Sequence, residues 1–501
     1  MSVDTPVQEH PSPDPPRPPA PDGGGDKPRG WRALRRPVLR LHFYAGLLVA
    51  PFLLVAAATG LLYATSYQIE KAVYADQLTV DAPRNAGAVP LSQQVDAALK
   101  SHPHGELTAV RPASEPGATT RVLLEDPSVR GDSMSLAVFV DPYRARVKGA
   151  LPSYGDSGAL PMRTWIDHLH RDLHLGEAGR FYSEFAASWL WVTALGGVVL
   201  WAGRTRKQRR LRGAKGGRRT LALHGTVGVW AAVGLVALSA TGLSWSKYAG
   251  AHIEALRTSL RGATPAVSTE LPGQQHGAHG GAASGGHEGH EGHQGHTGHM
   301  GSGADHSGAG EHARDIGPDR VLAVARQQGL TGPVEITPPS GPGSAYSVAQ
   351  TDKQWPAHLD QIAVSPVNGE VTDRVDFADH PLLAKLTRWG IDAHMGLLFG
   401  LANQIALAAL AAALIALILL GYRMWWRRRV PPERGAWRDV PLTTLLPLAA
   451  AAAAVGWFLP LLGIGLVAFL TVDVLLGLRA RRKARGGGAE HDRSGTPPAR
   501  V

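Results

Sequence analysis

Four histidines occupy matched places in this chain of 501 residues. Leu41-His42-x-x-x-Gly46 followed by Ala58-Thr59-Gly60 recurs as Leu223-His224-x-x-x-Gly228 followed by Ala240-Thr241-Gly242, at a constant offset of 182. Asp172-x-His174-x-Gly176 recurs as Asp392-x-His394-x-Gly396, at an offset of 220. A neutral imidazole binds a metal through one ring nitrogen, and two imidazoles from different helices can hold one metal from opposite sides. One histidine at a helix end is most simply an anchor; four at matched positions in two copies of a unit call for a shared chemical role. His170 lies four residues before His174, on the same face of a helix, so it could replace His174 or form a small metal site with it. His174 is preferred because it has a repeat partner.

A second concentration of imidazole lies in a Gly-rich tract over about 272–312, with His276, His279, His287, His290, His293, His296, His299, His306 and His312. That composition suits loose binding of a divalent copper, nickel, zinc or iron ion, with no fixed geometry to choose among them. It reads as a buffer that gathers ions and releases them when acid protonates the rings. The plain alternative is a flexible linker.

The elements that must carry these residues are membrane helices. Uncharged runs cover 41–69, 185–203, 220–246, 393–422 and 440–472, and a bilayer crossing takes about 20 apolar residues. The first four are single spans. The last, with Pro460 near its middle, is long enough for a helical hairpin, so six spans are expected. The net charge of +10 is unevenly placed: segments 1–40, 202–220, 422–440 and 479–501 hold 29 of the 51 Lys and Arg but nine of the 41 acids. Short basic segments stay in the cytoplasm, which puts both termini inside a bacterial cytoplasmic (inner) membrane and makes nucleic acid an unlikely partner. His42 and His224 then fall at cytoplasmic helix ends, His174 and His394 at outer ends. Trp189, Trp191, Trp201, Trp425 and Trp426 read as an interface belt. With no cysteine the chain forms no disulfide, no thiolate-held iron–sulfur cluster and no thioether-linked haem.

The expected organisation is a disordered tail (1–30), a first span (41–67, an uncleaved anchor), an outer domain (68–183), a second span (185–203), a basic loop (204–219), a third span (221–246), a second outer domain (247–390, with the His-rich insertion 272–312), a fourth span (392–421), the hairpin (441–478) and a basic tail (479–501). Each outer domain reads as a helix, Leu91 to Lys100 or Pro318 to Gln328, followed by short alternating strands and a turn at Asp141-Pro142 or Ser365-Pro366. The fold class is therefore an α-helical polytopic membrane protein, four core spans as two repeats plus a C-terminal hairpin, with two small α+β extracytoplasmic domains.

Over about residues 32–430 the chain resembles the PepSY-associated transmembrane proteins, often called iron-regulated membrane proteins. The resemblance rests on the Leu-His starts of spans one and three, the Asp172-Leu173-His174-Leu175-Gly176 element, and the two helix-plus-strand modules. Characterised members include ferric-siderophore reductases that carry two haems. The resemblance implies an oxidoreductase with two haem b groups, His42 with His224 and His174 (or His170) with His394 as ligands, and a ferric chelate as substrate. Electrons would come from a cytoplasmic or quinol donor, because the short inner loops have no room for a dinucleotide-binding domain. Two rivals stand beside this reading: a non-redox envelope protein whose PepSY-like modules bind a peptide or protein, and a His-rich accessory for copper or nickel.

Overall fold

The computed structural model describes residues 31–83, 87–204, 215–271, 315–428 and 440–491. The tail 1–30, most of the basic loop, the His-rich insertion with all nine of its histidines, and the last ten residues lie outside the described residues.

The membrane part is a helical bundle. Its members are α1 (Trp31–Leu48), α2 (Ala50–Val73), the short α3 (Ala75–Leu78), α5 (Pro161–Asp172), α6 (Glu177–Ala202), α7 (Gly216–Ser244), α8 (Tyr248–Ser259), α10 (Leu382–His394), α11 (Gly400–Arg428), α12 (Leu442–Phe458) and α13 (Pro460–His491). Among the described residues five helices are long and apolar enough to cross a membrane: α2, α6, α7, α11 and the part of α13 from Pro460 to Arg479. The apolar α12 is shorter, at 17 residues. The chain is therefore a multi-pass membrane protein. α13 continues past Leu478 to His491.

His42 is not on the spanning helix of the first run but on α1. Pro51 sits in the first turn of α2 and has no N–H to give the carbonyl of Leu47. The Tyr422 hydroxyl from α11 donates to that carbonyl instead, at 3.1 Å, so the break between α1 and α2 is closed from the opposite half of the chain. The buried face of α2 repeats at helical spacing, Ala50, Leu53, Ala57 and Ala64. Trp189 departs from the expected interface belt: it is 3% exposed, packed among α1, α6 and α13 in the bundle core.

The two outer segments form one sheet. β1 (Glu106–Arg111), β2 (Thr120–Glu125), β3 (Met134–Asp141) and β4 (Arg146–Tyr154) make one antiparallel meander, and β5 (Val334–Thr337), β6 (Tyr346–Gln350), β7 (Gln361–Val364) and β8 (Val371–Val375) make another. They join edge to edge in the order β4-β3-β2-β1-β5-β6-β7-β8. The seam is narrow: Val110 pairs with Ile336, and Arg111 bridges to Glu335 at 2.5 Å. Alternation divides the strands into two faces. Val122, Leu124, Val138, Val348 and Ile362 point to one core, covered by α4 (Leu91–Ser101) and α9 (Gly317–Gln327). Ala109, Leu123, Ala137 and Phe139 point the other way, onto Leu160 and the end of α2. Asp319 of α9 accepts the backbone N–H groups of Leu91 and Ser92 at 2.5 and 3.1 Å, so one unit caps the helix of the other.

Candidate functional site: two histidine pairs

His42 on α1 and His224 on α7 face each other with ring centroids 6.2 Å apart and planes at 72°. The Nδ1 of His42 donates to the carbonyl of Thr193 at 3.0 Å, and the Nδ1 of His224 to the carbonyl of Leu417 at 3.1 Å. A carbonyl can only accept, so both Nδ1 atoms carry the proton and both Nε2 atoms keep a lone pair. That is the tautomer of a metal-binding histidine whose other nitrogen is held by an outer partner. α6 makes room with Gly197, where a Cβ would stand 3.2 Å from the His42 ring, and Gly196, where it would stand 3.7 Å away.

At the sheet end of the bundle His170 on α5 and His394 at the end of α10 repeat the arrangement with different partners. The hydroxyl of Thr59 lies 2.9 Å from the carbonyl of Val55 and 2.9 Å from Nδ1 of His170. That of Thr241 lies 2.8 Å from the carbonyl of Ala237 and 2.6 Å from Nδ1 of His394. A hydroxyl has one hydrogen. When that hydrogen goes to its own helix, the oxygen accepts Nδ1–H and Nε2 keeps the lone pair; when it goes to Nδ1, Nε2 carries the proton. The adjacent glycine clears the ring: a Cβ on Gly60 would sit 3.1 Å from His170, and one on Gly242 3.6 Å from His394. Tyr63 stacks on His170 with centroids 6.4 Å apart and planes at 26°, and Trp245 lies 5.7 Å from His394.

His174, preferred from the sequence, is elsewhere. It is exposed, in a left-handed conformation with φ 55°, its ring 5.0 Å from Trp165 and 5.9 Å from His168. His170 holds the place equivalent to His394, each beside an Ala-Thr-Gly threonine; α5 ends at Asp172 and leaves His174 beyond the helix, whereas His394 closes α10. A better signal was present: Trp165, His170 and Gly176 recur as Trp389, His394 and Gly400 at one offset, 224. Both glycines are left-handed, at φ 57° and 54°, and each opens the following long helix. The Ala-Thr-Gly motifs were visible as repeat markers, but their work, threonine holding an imidazole and glycine admitting it, depends on which helix crosses them.

Each Leu-His histidine precedes its Ala-Thr-Gly threonine by 17 residues, about 25 Å along a helix, so the two pairs lie at opposite ends of the bundle. The facing rings of His42 and His224 are spaced so that one metal could lie between them. Among the described residues no cluster of three or more His, Cys, Asp or Glu could hold an ion unaided, so a metal at either pair needs its other ligands from elsewhere. Beside the second pair are buried charges that are neutralised locally: Arg163 with Glu70 at 3.1 Å and Arg388 with Asp392 at 2.9 Å.

The family described as PepSY-associated TM region matches residues 39–428, a stretch that holds both pairs and ends before α12. No curated protein matches the chain.

Proposed function

The chain belongs to the PepSY-associated transmembrane family, and from that premise we propose that it is a di-haem transmembrane electron-transfer protein that reduces an extracytoplasmic ferric chelate. The observation that carries the reading is four imidazoles each held at Nδ1 by a neighbouring helix, two at each end of the bundle, with Nδ1–H required by a carbonyl partner at His42 and His224.

The first pair fits the group in one respect that can be checked. Two imidazoles sharing one metal would have ring centres about 6 Å apart, from a metal–nitrogen distance of about 2 Å and about 1 Å from nitrogen to ring centre on each side, and the His42 and His224 centroids are 6.2 Å apart. His42 and His224 would hold one haem b, and His170 and His394 the other; the haem would supply reversible one-electron chemistry. The protein's part is to orient. Thr193 and Leu417 fix the ring tautomers of the first pair, Thr59 and Thr241 hold the rings of the second, the glycines admit the rings, and the bundle excludes water. Two centres split a crossing of about 30 Å into shorter steps. A ferric chelate held by hard oxygen donors loosens when its iron becomes ferrous, and the electron comes from a cytoplasmic or quinol donor. The His-rich tract is proposed as a loose store of divalent metal.

The proposal includes six spans as two repeats plus a hairpin, both termini in the cytoplasm, and the bacterial inner membrane as the site. The hairpin's packing supports it. The α12–α13 turn lies beside α8 at the sheet end, where Nδ1 of His252 donates to the carbonyl of Phe458 at 2.9 Å. Asp473 of α13 has returned to Arg40, at the far end. The basic segments flanking the ends opposite the sheet carry the inside signal.

The test is a visible spectrum and haem-to-protein ratio of detergent-purified protein, wild type beside His42→Ala and His394→Ala. About two haems per chain, falling to about one in each variant, is the expected result. A missing Soret band after haem-replete expression overturns the reading. Failure of every ferric complex to reoxidise the dithionite-reduced protein overturns the substrate alone.

A further inference from the structure

The stretch that matches the family ends at residue 428, yet α13, beyond it, sends a carboxylate into the bundle. Asp473 is buried and ion-paired with Arg40, itself 1% exposed. An ionised side chain within an apolar membrane helix is costly to insert, and where one persists its partner points to its role. Simple packing of α13 would be served as well by a leucine.

The pair is one rung of two. The Arg40 guanidinium also lies over the Tyr44 ring at 5.4 Å, and Tyr44 meets Phe469 with centroids 5.8 Å apart. Residues 40 and 44 are one turn apart on α1, and 469 and 473 one turn apart on α13. His42 falls between the rungs in sequence and so on the opposite face of α1, about 200° around the helix from Arg40, toward Thr193 of α6. α1 is thus gripped from both sides. At its join to α2, Pro51 leaves one helical hydrogen bond unmade. The hairpin is pressed home elsewhere by Gly465, where a Cβ would stand 2.8 Å from the Trp189 indole.

We infer that Asp473 is a positioning residue for the first histidine pair: through Arg40 it holds α1 so that His42 stays seated against α6 and opposite His224. The functional consequence rests on the di-haem reading; the seating of His42 does not. The C-terminal hairpin is then a built-in clamp on α1.

The experiment compares Asp473→Asn and Asp473→Glu with wild type. Diethyl pyrocarbonate labelling, read by peptide mass spectrometry, reports the exposure of His42, with His394 as internal control; the spectrum and midpoint potentials report the haems. The expected result is a several-fold rise in His42 labelling for Asn, none at His394, a shift in one of the two potentials, and wild-type behaviour for Glu. Unchanged His42 labelling in Asn overturns the inference. If Asn does not accumulate, the exchange Arg40→Asp with Asp473→Arg keeps the pair and is expected to protect His42; labelled His42 with protected His394 in that variant overturns the inference. Protein without haem in which Asn still exposes His42 removes the di-haem reading and leaves the positioning role standing.

Discussion

Thr241→Val tests the second histidine pair with little change in shape. Valine keeps the volume and branching of threonine but cannot accept the proton on Nδ1 of His394, now bonded at 2.6 Å. The carbonyl of Ala237 keeps its ordinary helical bond when it loses the hydroxyl at 2.8 Å, so the damage centres on the imidazole. Leaving a buried N–H without a partner costs about 1–3 kcal/mol, and loss of an outer partner of a metal-binding histidine lowers affinity about 10–100-fold, equivalent to about 1.4–2.7 kcal/mol. Thr241→Ser, which retains the hydroxyl, should stay near wild type. The assay is haem titration of apoprotein followed at the Soret band, with the His42–His224 centre as the internal standard. Two binding phases are expected, the second weakened by Val and spared by Ser. Affinities for wild type and Val within about twofold of each other would refute the role given to the Ala-Thr-Gly threonines.

Three further outcomes follow from the same geometry. His170→Ala should lose one of the two haems and His174→Ala should keep both, measured as haem per chain; the reverse pattern would restore His174 as the ligand. Glu70→Gln strips the buried Arg163 of its ion pair at 3.1 Å and weakens the acceptor for Leu160 N–H at 2.9 Å, so it should destabilise the protein by about 3–5 kcal/mol; a shift under 1 kcal/mol in chemical unfolding counts against a structural role for the pair. Burial, then the charge of Arg388, pushes the Lys353 ammonium down to about 8 from its ordinary 10.5. Below pH 8 both folded and unfolded chains hold that proton and the folded chain bears the penalty. Between pH 8 and 10.5 the folded chain sheds it first, so stability from this group rises with pH. Lys353→Met should remove that rise, seen as wild-type and variant unfolding curves converging as pH increases; parallel pH profiles would contradict it.

By itself the sequence determined that the chain crosses a membrane more than once, because apolar runs of bilayer length satisfy their backbone as helices; where each span begins was not legible, since the first run is divided between α1 and α2 and the fourth opens only at Gly400. A gapless offset of 182 also aligned His42 with His224 and Thr59 with Thr241. Helix and strand assignments in the outer modules were legible from alternation and from the Asp-Pro and Ser-Pro turns. Three further matters were left to the tertiary structure. His170 and His174 differ by one helical turn, and the choice between them depended on where α5 ends and which side chain reached Thr59. The two outer modules share one sheet because β1 and β5 are both first strands of outward-running meanders, leaving each an unpaired edge that only the other can cover. Asp473 interrupts an apolar run, and its partner Arg40, more than 400 residues away in sequence, meets it only across the bundle. Local pattern records which face of an element is apolar and which residues recur; it carries no information on which distant element closes over that face, and for the candidate site that closure decides which imidazoles meet.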